Sequence, residues 1–200
     1  MTNTVSSVRN AYWDLVYATD TLAVQQQSLE LAETLIRDNE RRVENGTMDA
    51  ILIVSARAEA AARRQTLAQA EQNRATAELR LKQLIVSGTD DTLWGSTLNP
   101  VDQQTRDVQP IDRESATQGV SRRIEAATAA RELAEEQLAV EQGKFAAGTQ
   151  TNFFVVQAQR DLAAAKDAEL RAILDHQKAL VELERAQRTS LSQAGISIVR

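Results

Sequence analysis

The sequence predicts an all-α fold made of two long coiled-coil helical hairpins in tandem repeat, with a small irregular segment between them. Both prolines and 3 of the 7 glycines fall between residues 86 and 120, so the rest of the chain has few helix breakers. Only 4% of the residues are aromatic, and alanine is abundant, which suits closely packed helices rather than a thick core. The third observation is an internal repeat at an offset of 102 residues.

The predicted elements follow the apolar periodicity and the breakers. They are a helix over 4–44, a helix over 48–86, an irregular segment over 87–111, a short helix near 112–118, a helix over 120–146 and a helix over 150–191. The predicted domains are a first hairpin over 1–86, a linker over 87–119, and a second hairpin with a C-terminal tail over 120–200.

The first helix carries apolar residues at a strict seven-residue step. This ladder consists of Val8, Leu15, Leu22, Leu29, Ile36 and Val43. A seven-residue apolar step is typical of coiled-coil packing, in which the helix needs partners along its whole length.

The repeat shows in matched segments of the two halves. The letters ELAE occur at 30–33 and again at 132–135, and Gly46-Thr47 is matched by Gly148-Thr149. The apolar ladder is imperfect, because Leu29 is matched by Arg131 and Leu67 by Glu169. The repeating unit is therefore a helical hairpin with a glycine at its turn.

The two Gly-Thr pairs predict the hairpin turns. Glycine adopts the left-handed conformation that ends a helix and reverses the chain, and Asn45 before Gly46 favours the same break. Thr47 and Thr149 are the predicted N-caps of the returning helices.

Composition excludes several classes of function. The formal charge of −5, without a basic stripe, argues against nucleic acid as a partner. The chain has 0 cysteines and 1 histidine, and it lacks a Gly-rich phosphate loop and a catalytic triad, so we predict no metal, no cofactor and no enzymatic activity. We expect the single histidine, His176, at a solvated or intersubunit polar position. No apolar run is long enough for a membrane helix, and the start lacks the apolar core of a signal peptide, so we expect a soluble chain that does not insert into a membrane.

Two long segments carry a resemblance to a known family. They are RRVENGTMDAILIVSARAEAAARRQTLAQAEQNRATAELRLKQLI and KFAAGTQTNFFVVQAQRDLAAAKDAELRAILDHQKALVELERAQ. In each, Gly-Thr is followed by an apolar cluster and a long Ala-, Leu-, Glu- and Arg-rich helix. VRNAYWDLVYA resembles the start of the same family's first long helix. The chain resembles the TolC-type outer-membrane efflux proteins.

This resemblance implies a function as well as a fold. Family members are homotrimers in which a β-barrel stands on a periplasmic α-helical tunnel with an equatorial region, here the irregular segment. They are passive exit ducts that meet a periplasmic adaptor protein at their tips and, through it, an inner-membrane transporter. The implied location is the periplasm, with attachment to the outer membrane in the full-length protein.

The chain also departs from the family pattern. We find no amphipathic strands, and the residues that should correspond to 1–17 are missing before Val120. DRESATQ at 112–118 resembles the start of the second-repeat helix, whereas the sequence from Ser121 resembles a point much further along it. The sequence therefore predicts an engineered fragment without barrel segments, with a junction near 118–121; the alternative is a natural four-helix protein without a barrel. We expect such a fragment to be a monomer or a weak oligomer.

The resemblance implies that the hairpin tips contact the adaptor, because small residues let the ends of two hairpins mesh. The candidate tip residues are Asn45, Gly46, Thr47, Met48, Ala147, Gly148, Thr149 and Gln150. The alternative is that these residues only form turns.

The pore-constriction candidates implied by the resemblance are Phe153, Phe154 and Gln157. Some family members carry aspartates at the positions of Phe154 and Gln157, so an acidic gate is not expected here. At least one phenylalanine is expected in the core of the tip instead. The positions that hold the family's closed state read Phe145, Leu52 and Gln150, so closure must rest on packing or on other pairs.

Two further readings stay open. The hairpin of a periplasmic adaptor would have one hairpin flanked by lipoyl-like β segments, which the sequence lacks. A structural helical-bundle protein without a transport role would bind no adaptor.

Overall fold

The computed structural model describes residues 2–86, 91, 94–101 and 116–187. They form four helices: α1 (Thr2–Glu44), α2 (Ile51–Ile85), α3 (Ala116–Ala146) and α4 (Asn152–Gln187). The described residues contain no strand. The predicted all-α class with two long hairpins, α1–α2 and α3–α4, is confirmed.

The helix boundaries differ from the prediction at the start of the second hairpin. Residues 116–118 belong to α3, which runs through Gly119 without interruption, so the predicted separate short helix and the break at Gly119 are wrong. Residues 112–115 lie outside the described part of the chain. One glycine costs a helix only about 1 kcal/mol, which the surrounding helix formers offset. The predicted junction near 118–121 stays a prediction.

The chain divides into two compact units, each containing part of all four helices. The tip unit comprises Thr21–Glu71 and Glu125–Glu169, and it holds both hairpin turns. The loop unit comprises the described residues within Met1–Asp20, Gln72–Ile124 and Leu170–Arg200. The predicted division into one domain per repeat stays a prediction.

The core of the tip unit is built by α1, α3 and α4. Its buried members are Leu35, Leu138, Phe145, Val155, Ala158 and Leu162. Leu31, Met48, Ala134 and Val156 pack against them and are partly buried. On α4, Val155, Ala158 and Leu162 follow the spacing of one helix face, so this face lies inside the unit.

The core of the loop unit contains Ala11, Leu15 and Leu81, with Tyr12 and Leu98 packed against it. The irregular residues near Leu98 are held on α2 by polar contacts. The backbone amide of Leu98 donates to Glu78 Oε1 at 3.1 Å, and Lys82 Nζ donates to the carbonyl of Trp94 at 3.1 Å. Burial opposes ionisation of Glu78, but Lys82, the Leu98 amide and Arg74 outweigh it and lower the pKa of Glu78.

His176 is buried in the loop unit, so its predicted solvated position is wrong. Its Nε2 atom has no hydrogen-bond partner among the described residues. Burial lowers the pKa of the imidazole, because the charged form loses its hydration. The neutral ring is therefore part of the packing.

The apolar ladder on α1 is less buried than the seven-residue step predicts. Leu15 is buried, whereas the other five ladder residues are only half-buried. The buried positions include Ala11, Ala18, Ala32 and Asn39, which also follow multiples of seven. The buried face of α1 therefore includes this second set of positions beside the ladder.

Candidate functional site at the hairpin tips

The first hairpin turn ends α1 in a hydrogen-bonded left-handed motif. Gly46 has a φ of 68°. Its amide donates to the carbonyl of Val43 at 2.9 Å, and the amide of Thr47 donates to the carbonyl of Arg42 at 2.9 Å. These two bonds define the Schellman motif, which satisfies carbonyl groups that the end of a helix otherwise leaves unpaired.

The second turn has the same geometry at the 102-residue offset. Gly148 has a φ of 72°, its amide donates to the carbonyl of Phe145 at 3.0 Å, and the amide of Thr149 donates to the carbonyl of Lys144 at 3.0 Å. The sequence repeat is therefore also a repeat of turn structure. A Cβ atom at either glycine would meet nothing within 4 Å, so the positive φ is what requires glycine.

The two threonines do not start the returning helices, so the predicted N-cap role is wrong. Thr47 Oγ1 donates to the carbonyl of Arg42 at 3.0 Å, and Thr149 Oγ1 donates to the carbonyl of Lys144 at 3.0 Å. Each hydroxyl thus donates a second hydrogen bond to a carbonyl that already accepts one from the backbone amide of the same threonine. The threonines close the end of the preceding helix.

Asp49 supplies the cap of the first returning helix. Its Oδ1 accepts a hydrogen bond from the amide of Ile51 at 3.0 Å, and its carbonyl accepts one from the amide of Leu52 at 3.1 Å. A short acidic side chain is favoured here because it pairs a free amide and faces the positive end of the helix dipole.

The predicted tip residues divide into two groups. Six are exposed on the surface of the tip unit: Asn45, Gly46, Thr47, Ala147, Gly148 and Thr149. Met48 and Gln150 are half-buried, and Met48 packs against the tip-unit core. Met48 therefore also contributes to packing within the chain, and the adaptor-binding role of all eight residues stays a prediction.

Three contacts hold the tips of the two hairpins side by side. The guanidinium carbon of Arg42 lies 4.3 Å from the ring centre of Phe145, and Arg42 Nη2 donates to the carbonyl of Ala146 at 3.2 Å. On the returning side, Asn152 Nδ2 donates to the carbonyl of Leu52 at 3.1 Å. Asn152 is 2% exposed, so its amide is committed to this bond.

Phe153 and Phe154 lie at the start of α4 and point out of the core. Their side chains are 64% and 46% exposed, and their rings meet edge to face with 5.6 Å between centroids. The expectation that one of them packs in the tip core is wrong, because Phe145 and Val155 fill that space. Gln157 is also exposed, and its Nε2 donates to Asp161 Oδ1 at 2.8 Å.

An ion-pair network that the sequence analysis did not identify joins the two returning helices. Glu59 on α2 accepts bonds from Arg160 Nε of α4 at 3.1 Å and from Arg63 Nε at 3.0 Å. Hydrogen bonding by Arg160, the largest effect, lowers the pKa of Glu59, and Arg63 adds to it against the opposing effect of burial. The i, i+4 spacing of Glu59 and Arg63 was visible in the sequence, but the partner on α4 was not.

Two cavities of about 530 Å³ each open on the tip unit. One is lined by α1, α3 and α4, including Leu31, Asp38 and Phe145. The other lies between α2 and α4 and is lined by Leu52, Glu59, Phe153 and Arg160, among others. Both grooves have apolar and charged walls.

Solved structures with the same fold include two outer-membrane channels. A membrane protein from Pseudomonas aeruginosa matches with a TM-score of 0.79 and 15% identity over 92% of this chain and 67% of that chain. The CmeC outer membrane channel of Campylobacter jejuni matches with a TM-score of 0.78 and 11% identity, covering 94% of this chain and 63% of its own. The outer-membrane channel OprN matches with a TM-score of 0.74 and 12% identity, covering 92% of this chain and 66% of its own. At these identities the likeness shows the fold, and this chain spans about two thirds of the length of each of the three matched proteins.

The family model for outer membrane efflux proteins matches residues 1–86, the whole of the first hairpin. The resemblance to the outer membrane efflux protein family is confirmed. A search among curated protein sequences finds no match. The matched family is one of efflux proteins rather than enzymes. Across the described residues, none of the helices combines the length and apolarity that crossing a membrane requires.

Proposed function

We propose that this chain is the periplasmic α-helical tunnel part of a trimeric outer-membrane efflux duct, which conducts substrates passively and docks a periplasmic adaptor through its hairpin tips. The family match of the first hairpin and the likeness of the fold to outer-membrane channels support this proposal. In the full-length protein the duct is attached to the outer membrane, and the adaptor links it to an inner-membrane transporter.

The observation that carries the proposal is an exposed coiled-coil seam on α2. Its residues alternate in steps of three and four and are all exposed: Ile51, Val54, Ala58, Ala61, Gln65 and Ala68. Ile51 is 70% exposed and Val54 is 65% exposed. Alternating steps of three and four are the signature of helix-to-helix packing, so this face needs a partner outside the chain.

A second exposed seam runs along α3 with the same alternation. Its residues are Ala126, Ala129, Leu133, Glu136, Val140 and Gly143, and all are exposed. Leu133 is 64% exposed. A side chain of this size, repeated seven residues later by Val140, serves as a knob for a facing helix that has small residues.

The partner we propose for each seam is the other seam, on a second copy of this chain. The α2 seam offers alanines where the α3 seam offers Leu133 and Val140, so large residues meet small ones. Exposed charges along the two seams are also complementary: between residues 51 and 68, α2 presents Arg57 and Arg64 and no exposed acid, whereas between residues 125 and 143, α3 presents four exposed glutamates and no exposed base. A contact between two different faces builds a ring of copies when the rotation between neighbouring copies closes, and a tunnel requires such a ring.

The tips supply the second part of the proposal. The six exposed tip residues are small, so the end of a partner hairpin can approach the backbone closely. Phe153 and Phe154, exposed beside the tips, are proposed to form an apolar constriction of the pore, and Gln157 is proposed to lie next to it.

Self-association is tested by sedimentation over a concentration series. The parent should be a monomer or weak oligomer that shifts to trimer as concentration rises. Leu133→Glu should abolish the shift, because a carboxylate at the seam cannot be buried without a partner. The matched control is Leu84→Glu, which changes an exposed leucine of α2 outside the seam. Equal association of both variants would rule out the seams as the contact.

Adaptor docking is tested with the hairpin domain of a candidate adaptor. Gly148→Phe should abolish binding while leaving helicity nearly unchanged. Gly148→Ala carries the same backbone strain without the bulk, and it should retain binding. If Gly148→Phe binds like Gly148→Ala, the tip is not the docking surface. A monomer that binds no adaptor would favour the structural helical-bundle reading.

A further inference from the structure

The two hairpins use the same pairing register. In the first, Arg64 Nη2 lies 2.7 Å from Glu33 Oε1. In the second, Lys166 Nζ lies 3.7 Å from Glu135 Oε1, and both residues are displaced by 102 positions from the first pair. Positions that match in sequence therefore also match in their place along the hairpin.

Next to these shared pairs, each hairpin has a polar contact that the other lacks. In the first hairpin, Arg63 Nη1 donates to the carbonyl and to Oγ of Ser28, each at 2.8 Å. Arg63 and Ser28 are both buried. The matching positions of the second hairpin are Ala130 and Ala165, which cannot form this contact.

In the second hairpin the buried arginine lies on the outgoing helix, α3, and its partner lies on the returning helix, α4. Arg131 Nε lies 2.8 Å from Glu169 Oε2, and Thr128 Oγ1 donates to Glu169 Oε1 at 2.9 Å. Arg131 and Glu169 are 9% and 5% exposed. The matching positions of the first hairpin are Leu29 and Leu67, so the two breaks in the apolar ladder are the two partners of one buried ion pair.

We propose that these two contacts, Ser28–Arg63 and Arg131–Glu169, specify which returning helix pairs with which outgoing helix. Two hairpins that share a register and a composition can exchange partners, within one chain or between copies. Pairing α3 with α2 places Arg131 beside Leu67 and Arg63 beside Ala130. Pairing α1 with α4 places Glu169 beside Leu29.

Each wrong pairing leaves a buried charge without its partner on the facing helix, which is strongly unfavourable. Arg63 keeps Glu59 and Arg131 keeps Glu135 on its own helix in either pairing, because both pairs have i, i+4 spacing. The discriminating contacts are therefore the interhelical ones. A single buried polar residue fixes register in coiled coils by the same principle.

The test transfers the first hairpin's contact into the second. One half of the transfer changes α3, with Ala130→Ser and Arg131→Leu. The other half changes α4, with Ala165→Arg and Glu169→Leu. Asp161 already occupies the position that matches Glu59, so an arginine at 165 finds an acidic residue four positions before it.

Each half alone should lower the urea midpoint of unfolding, and the full four-residue transfer should recover it. If the four residues only pack locally, the two halves should each lower the urea midpoint by an independent amount, and the full transfer should lower it by the sum of the two. Failure to recover would therefore overturn the proposal. If the transfer variants do not fold, the double variant with Arg131→Leu and Glu169→Leu replaces them. It removes both partners of the buried ion pair of the second hairpin.

Pairing itself is measured by thiol cross-linking, which is clean because the chain has 0 cysteines. Cysteines at 33 and 64 report the native pairing, and cysteines at 64 and 135 report the exchanged one. With the full transfer, or with the smaller double variant, cross-linking between 64 and 135 should rise at least about tenfold over the parent. A fully recovered midpoint without any rise would show that the contacts stabilise the hairpins but do not specify the pairing. The inference holds whether or not the chain binds an adaptor.

Discussion

Arg42, near the end of α1, places its guanidinium carbon 4.3 Å from the ring centre of Phe145 in the second hairpin. The same side chain donates to the carbonyl of Ala146. One residue of the first repeat thus covers both an apolar ring and an unpaired helix-end carbonyl of the second. The second repeat has no equivalent arginine, because the position that matches Arg42 is Lys144.

Replacing this arginine should loosen the tip unit. Arg42→Ala should lower the free energy of unfolding by about 1–2 kcal/mol, the sum expected for a partly exposed cation–π contact and one hydrogen bond. The control is Arg41→Ala, because the side chain of Arg41 is 74% exposed and should change stability by less than about 0.5 kcal/mol. Urea denaturation measures both values, and equal values would contradict a role for the contact between the tips.

The turn glycines should respond differently from a glycine inside a helix. Gly46→Ala and Gly148→Ala should each destabilise the protein by about 1–2 kcal/mol, because the left-handed conformation is costly for an L-residue. Gly143→Ala should stabilise it by about 0.5–1 kcal/mol, because Gly143 lies in α3 and an added Cβ meets nothing within 4 Å. The three midpoints of thermal unfolding decide this. Destabilisation by all three would point to a steric effect that the structure does not contain.

Acid should selectively weaken the network around Glu59. Arg160, followed by Arg63, lowers the pKa of Glu59 in the folded protein, so its contribution to stability is present above the unfolded-state pKa of about 4.3 and is lost as pH falls through the lower folded-state pKa. Glu59→Gln removes this titration. The gap in stability between parent and variant should therefore be largest near about pH 7 and smallest near about pH 3. A gap that stays constant with pH would show that Glu59 does not contribute through its charge.

His176 should make stability depend on pH in a higher range. Burial lowers its pKa in the folded state, so stability is complete above the unfolded-state value of about 6.5 and declines as pH falls below it towards the folded-state pKa. His176→Leu should remove this decline. The chain has 1 histidine, so a single imidazole signal in the NMR spectrum reports the folded-state pKa directly. A pKa above about 6.5 would contradict the burial effect.

The turns were predictable from the sequence because they depend on local chemistry. A Gly-Thr pair between two long amphipathic segments is the natural place for a helix to end. Both turns lie at the predicted glycines. The role of the threonines was not predictable in the same way. A hydroxyl can bond forward to an amide or backward to a carbonyl, and the left-handed glycine before it brings the backward carbonyl within reach.

The ion pair between Arg131 and Glu169 could not be predicted from the sequence. Arg131 and Glu169 were visible as departures from an apolar repeat, but they lie 38 positions apart in the chain and only the folded hairpin brings them to 2.8 Å. At least one of Phe153 and Phe154 was expected in the core of the tip. The structure exposes them because Phe145, from the other helix, already fills the space.

The backbone carbonyls of Arg42 and Lys144 each accept two hydrogen bonds, and this also affects the motion of the chain. Each turn has three amides and one hydroxyl bonded back to the helix that it ends, so its backbone is as constrained as a helix turn. Hydrogen exchange at Gly46, Thr47, Gly148 and Thr149 should therefore be slow for residues with such exposure. The turns themselves are therefore not hinges between the helices that they join.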